Sequence, residues 1–242
     1  MAKPKKDRDR RAVIEQMRRD QQRAERRRTI AIISACAVVA LVIVGLAAVP
    51  LLRQNQLAAG DLATIGASAD AAGCRDVVTK KATGSQEHKP EGTAISYPDA
   101  PPAFGPHYAV TAPFERKFYT ESDRPKLENL VHNLEHGYNL LWYDESIANN
   151  SDRLGEIKAI AAKFDGKKLS DKFIALPWTS KDGKPFPKGT HVAMTHWSAG
   201  GDPSDPSKQE GVWQYCAKPS GEVVEQFTED YPYTDSPEPQ AL

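Results

Sequence analysis

The longest apolar run in the chain is IAIISACAVVALVIVGLAAVPLL, Ile30–Leu52, 23 positions without a charge. At a helical rise of about 1.5 Å per residue it crosses a hydrocarbon core of roughly 30 Å with some tilt. A cleaved signal peptide has an apolar core of only about 7–15 residues, so the run predicts an uncleaved signal-anchor and a single transmembrane helix. Beyond it the pattern breaks into short periodic segments divided by Gly, Pro and polar clusters. Residues 53–73 are small and polar, and read as a linker or stalk. The folded domain is expected over 74–231.

Within that domain Leu127, Leu130, Val131 and Leu134 recur at i, i+3, i+4 and i+7. This predicts a helix over 125–136, with Pro125 in its first turn and Gly137 as its stop. A second helix fits 151–164, with Ser151 as cap and Leu154, Ile157, Ile160 and Ala161 at helical spacing. YNLLWYD (138–144), KFIALPW (172–178) and THVAMTHW (190–197) have the aromatic and apolar content of strands. A short helix fits 221–231, and the tail 232–242 reads as disordered. Helices and strands mixed over so short a stretch predict an α+β fold. Its core would be a small, mainly antiparallel sheet with packed helices, preceded by the one transmembrane helix.

Charge adds an orientation. The formal net charge is zero, yet residues 1–29 hold 12 Lys and Arg against 5 Asp and Glu. The rest of the chain holds 20 basic against 27 acidic residues, of 32 of each in total. Basic residues crowd one side of the apolar run, and only Arg53 closely follows it, which directs the N-terminus to the cytoplasm. Residues 1–29 are then a cytoplasmic arm, 30–52 the anchor in the plasma membrane, and 74–231 an extracytoplasmic domain. The lipid bilayer is the expected partner, since Lys and Arg beside a membrane span are drawn to anionic headgroups. The arm lacks interleaved aromatics for base stacking, so no nucleic acid is expected. Cysteine usage agrees. Cys36 falls inside the apolar run, and outside the cytoplasm Cys74 and Cys216 are expected to form a disulfide.

Candidate chemistry centres on HNLEHG, 132–137. His132 and His136 are four apart, project roughly opposite the apolar stripe, and meet either water or a second layer of loops. Imidazoles at i and i+4 can hold one metal ion. His107 lies in PPAFGPHY, where Pro and Gly fix a loop, and is the best third ligand. His88, Glu128 or Glu135 would support it. Copper or zinc is the expected ion. HNLEH also spells H-x-x-E-H, in which Glu135 would activate a metal-bound water. His196 shares a strand face with Met194, and His191 starts the same strand; both are expected to be structural. There is no phosphate-binding Walker loop, dinucleotide glycine fingerprint or GxSxG elbow.

EHKPEGTAISY (87–97), PPAFGPHY (101–108) and LVHNLEHGYNLLWYD (130–144) together resemble the bacterial family called domain of unknown function 3105. The resemblance implies a short cytoplasmic N-terminus, one membrane span and an outer domain. It marks His88, His107, His132, Glu135 and His136 as recurrent polar positions, and it implies no activity. Three functions are therefore expected in order. The first is an outer domain that binds copper or zinc through its histidines. The second is a metal-free interaction module meeting a protein partner in the cell envelope, and the third a metal-dependent hydrolase using Glu135.

Overall fold

A computed structural model describes residues 5–82 and 86–242, so the first four residues of the basic arm lie outside it. The chain divides into two compact units, Met1–Arg53 and Gln54–Leu242. Helix α1 runs over Lys5–Ala59, and its stretch Val13–Leu46 is long and apolar enough to cross a membrane. Large apolar side chains there, Ile30, Ile33, Leu41 and Leu46 among them, are exposed.

The second unit continues with α2 (Ala69–Ala72), β1 (Val78–Lys81), β2 (His88–Lys89), β3 (His107–Tyr108) and α3 (Leu127–Glu135). There follow β4 (Asn139–Tyr143), α4 (Glu145–Ala148), α5 (Ser151–Ala161), β5 (Phe173–Pro177), β6 (Val192–Ser198), β7 (Glu210–Cys216) and α6 (Gly221–Asp230). One sheet of five strands has the order β1-β7-β6-β4-β5. Its pairs are antiparallel except β4 with β5, which α4 and α5 connect in parallel. The expected mixed fold with a mainly antiparallel sheet is what forms. β2 and β3 make a separate parallel pair in which His88 lies opposite His107.

Both faces of the sheet are covered at β4, β5 and β6, which explains why those strands read as nearly unbroken apolar runs, while the edge strand β1 is exposed throughout. Leu141, Tyr143, Phe173, Ala175, Val192 and Met194 point to one side and pack with Ile157 and Ile160 of α5 and Val224 and Phe227 of α6. Leu140, Trp142, Ile174, Leu176, Ala193 and Trp197 point to the other and meet Leu130, Val131 and Leu134 of α3. Alternation along each strand thus feeds two cores at once. The Cys74–Cys216 disulfide ties the segment before β1 to the end of β7, across 142 residues. Closing a loop that long destabilises the unfolded chain by up to about 5 kcal/mol.

Two boundary expectations change. Residues 62–72, expected as part of a stalk, belong to the folded unit. Ile65 is 1% exposed, and the Ala67 amide donates to the Pro219 carbonyl at 2.9 Å. The tail 232–242, expected to be disordered, is hydrogen-bonded to the domain at several points. The Asp235 carboxylate accepts from Ser198 Oγ at 2.6 Å and from the Gly201 amide at 2.9 Å. Lys172 Nζ, one residue before β5, donates to the carbonyls of His136, Pro239 and Ala241 at 2.7, 2.8 and 2.7 Å. These partners are remote in sequence, so local composition does not reveal them. Gly137 makes the crossing possible. It has φ 91°, and a Cβ there would stand 2.4 Å from the Tyr233 carbonyl oxygen.

Candidate metal centre

Three elements converge on the polar side of α3. The first is the helix itself, which places His132 and Glu135 three residues apart and so on one face. The second is the 101–107 loop. Trp213 Nε1 donates to the Pro101 carbonyl at 2.7 Å, and Tyr97 OH donates to the Pro106 carbonyl at 2.7 Å. Phe104 packs edge-on against Trp197 and Trp213, in the space Gly211 leaves by lacking a Cβ. So braced, the loop delivers His107, fully buried, onto α3. The third is β2, whose pairing with β3 brings His88 beside His107, with ring centroids 4.8 Å apart.

His88, His107, His132 and Glu135 each offer a ligand atom, and those atoms lie within 4.8 Å of one another. His107 Nε2 is 2.9 Å from Glu135 Oε2, and His88 Nε2 is 3.3 Å from His132 Nε2. Glu135 Oε2 lies 3.8 Å from His88 Nε2 and 4.0 Å from His132 Nε2. Bonds of about 2.0–2.1 Å to a tetrahedral zinc put ligand atoms about 3.4 Å apart, so these spacings bracket a tetrahedron's edge. The cluster could therefore hold a metal ion.

Its protonation suits that use. His107 Nδ1 lies 2.8 Å from the Gly105 carbonyl, which can only accept, so the proton is assigned to Nδ1 and Nε2 keeps its lone pair. His107 Nε2 and Glu135 Oε2 face each other at 2.9 Å, and no other group within hydrogen-bond reach meets either atom. His132 Nδ1 is likewise buried and unpartnered. Burial, and then the imidazoles of His136, His107 and His88, push the His132 pKa down to about 4. Burial alone would raise Glu135, but contact with His107, Gln86 and His132 outweighs it and holds the carboxyl below its ordinary range. The result at neutral pH is a carboxylate facing a neutral His132, a donor set an ion can use directly.

The expected ligands divide. His132 and His107 meet as predicted, and His88 and Glu135, expected as support, are full members of the cluster. His136 is not in this set: it groups with Glu135 and Glu238. Its Nδ1 lies 3.0 Å from the Leu242 oxygen and its Nε2 3.5 Å from Glu238 Oε2. Glu128 belongs to neither group. Glu238 is the residue that sequence reasoning missed, because it lies in the tail.

The other histidines stand apart. His196 Nε2 donates to the Asp235 carbonyl at 2.9 Å. His191 Nδ1 lies 2.8 Å from Asp144 Oδ2 and 2.9 Å from Ser146 Oγ, beside a cleft of about 470 Å³ where β4 and β5 end. Asp144 Oδ1 accepts from Ser146 Oγ at 2.6 Å, so the serine proton is directed at the carboxylate and not at an imidazole base.

Fold and site together define a mixed-sheet domain with a three-histidine, one-carboxylate cluster on the outer side of one helix. The chain belongs to the family described as protein of unknown function (DUF3105), whose family model matches residues 88–242. The match includes His88, His107, His132, Glu135, His136 and Glu238, and begins after Cys74 and α1. Comparison with curated proteins and with solved structures gives no match.

Proposed function

We propose that this chain is a single-pass protein of the plasma membrane whose extracytoplasmic domain binds a divalent transition-metal ion through His88, His107, His132 and Glu135. Zinc is the preferred ion and copper(II) its competitor. Support for the topology comes from the basic arm ahead of the apolar run, the signal-anchor length of that run and the Cys74–Cys216 disulfide. The bilayer is the partner the anchor requires.

One observation carries the metal reading. His107 Nε2 and Glu135 Oε2, 2.9 Å apart within the ligand set, are two of the eight buried side-chain polar atoms without a hydrogen-bond partner among the described residues. Buried polar atoms are seldom left so, and such a pair beside two further imidazoles is what a cation would satisfy. A metal-free interaction module would leave these atoms unpaired at a cost of about 1–3 kcal/mol each. The hydrolase reading needs His132 and His136 as joint ligands and Glu135 as a base beside an open position. Here Glu135 is 1% exposed and within the ligand set, which suits a ligand better than a base. The ligands are nitrogen and oxygen only, and Met194 points into the other core, so nothing favours copper(I).

Titration of the metal-stripped, detergent-solubilised full chain with zinc and copper(II), followed by calorimetry and metal analysis, tests this. Wild type is expected to retain zinc, and His107→Ala to weaken binding by at least 100-fold. Equal binding by wild type and His107→Ala, or none by wild type, would end the proposal.

A further inference from the structure

His136, which the first cluster leaves out, is held as carefully as His107. Its Nδ1 faces the Leu242 oxygen at 3.0 Å, an acceptor, so the proton is assigned there and Nε2 presents a lone pair. That lone pair faces Glu238 Oε2 at 3.5 Å, close to the edge of about 3.4 Å that two ligands of one tetrahedral zinc share. The imidazole is nearly buried, at 8% side-chain exposure, whereas Glu238 is 48% exposed. Glu135 is common to this group and to the first, and its buried Oε2 has no hydrogen-bond partner.

The tail is fixed where this needs it. The Glu238 amide donates to the Glu135 carbonyl at 3.0 Å, so the backbone at Glu238 is bonded directly to the shared residue. Lys172 Nζ then binds carbonyls on both sides of the same junction, His136 on the helix and Pro239 and Ala241 on the tail. A surface ion pair would not require that much bracing, since exposed pairs contribute little.

We infer that the domain holds a second divalent ion, between His136 and Glu238, bridged to the first through the Glu135 carboxylate. This rests on the proposed function, because the bridge presumes the first ion. Carboxylate-bridged ions stand about 3.5–4 Å apart in two-metal sites, and Glu135 is the carboxylate that the two ligand groups share. The two positions are unequal. The inner ion has four protein ligands and a closed shell. The outer one has three, with a vacant coordination position on the side where Glu238 meets solvent. The outer ion therefore exchanges readily and can take a water or a small anion as its fourth ligand.

The test is the zinc stoichiometry of the metal-stripped full chain in detergent, by calorimetry with zinc chloride and by metal analysis after desalting. Two zinc ions per chain are expected, in a tight and a weaker phase. Glu238→Gln, which preserves size and leaves the backbone bond to Glu135 intact, is expected to remove the weaker phase and to change the tight one less than threefold. Glu135→Ala is expected to remove both. A stoichiometry of one that His88→Ala abolishes and Glu238→Gln leaves intact overturns the second ion and leaves the first. A stoichiometry of one that Glu238→Gln abolishes and His107→Ala leaves intact overturns the proposed first site, and with it the bridge. Two zinc ions that persist in Glu238→Gln also overturn the outer site.

Discussion

The two sides of α3 are almost equally buried and very differently satisfied. Leu130, Val131 and Leu134 on one side are at 0% exposure, and His132 and Glu135 on the other are at 6% and 1%. The apolar side needs nothing beyond the second sheet core it packs against. Among the polar residues Asn133 shows what ordinary satisfaction looks like: its side chain accepts from the Ala112 amide at 2.8 Å and donates to the Ala112 carbonyl at 3.2 Å. Glu135, two positions on, keeps a buried carboxylate oxygen with no such partner, and so does the His107 Nε2 that faces it. Burial alone does not separate a core from a site. The unmet lone pairs do.

The contrast is tested hardest on the apolar side. Leu134→Ala is expected to lower stability by about 2–5 kcal/mol, the usual range for truncating a buried leucine. Denaturant melts with and without zinc should show the same loss in both, with the increment due to zinc unchanged. At 100 times its dissociation constant a bound ion adds about 2.7 kcal/mol. If Leu134→Ala abolished zinc binding while the chain stayed folded, the two sides would not be separate functions of the helix.

Much of this arrangement is legible in the sequence, because it follows from period and from rigid residues. The leucine spacing gives α3, the apolar runs give β4, β5 and β6, and the Pro and Gly of PPAFGPHY mark a braced loop carrying His107. The pairing of histidines at i and i+4 misleads for a local reason. The helix ends at Glu135, and His136 is already the C-cap, with φ −80° and ψ 5°. Its ring still lies beside that of His132, with centroids 4.3 Å apart, but its Nδ1 faces the Leu242 oxygen and its Nε2 Glu238, so the two histidines fall into different ligand groups. Glu238 and the Lys172 tether depend on contacts between positions 36 to 102 residues apart, which no local pattern carries. The burial of Ile65 against the segment before α6 is hidden for the same reason.

Acid separates the two sides next. The His132 pKa is about 4 in the folded chain and 6.5 when unperturbed. A base with a lowered folded value is neutral in the native state while the unfolded chain takes up the proton. Its contribution is therefore intact above about pH 6.5 and is lost as pH falls from there toward 4, up to about 3 kcal/mol for this one group. Melts of the metal-free chain should show that slope between pH 6.5 and 4, and His132→Leu should flatten it. Leu134→Ala should shift the whole curve down without changing its slope. A slope unaffected by His132→Leu would mean that the polar side carries no stored protonation cost.

The smallest effect comes from the histidine outside α3. His191 has its Nδ1 engaged by Asp144 and Ser146 at a partly exposed position, where a pair of charges contributes roughly 0.2–1 kcal/mol. His191→Ala is expected to lower stability by no more than about 1 kcal/mol and to leave zinc affinity and stoichiometry as in wild type. The comparison with His107 is a fair one, since both imidazoles are anchored through Nδ1. They differ in what the other nitrogen meets: His107 Nε2 is buried against a cluster of ligand atoms, and among the described residues His191 belongs to no such cluster. If His191→Ala reduced zinc binding as much as His107→Ala does, an anchored imidazole anywhere on this domain would suffice. The unsatisfied atoms around α3 would then lose their standing as the mark of the site.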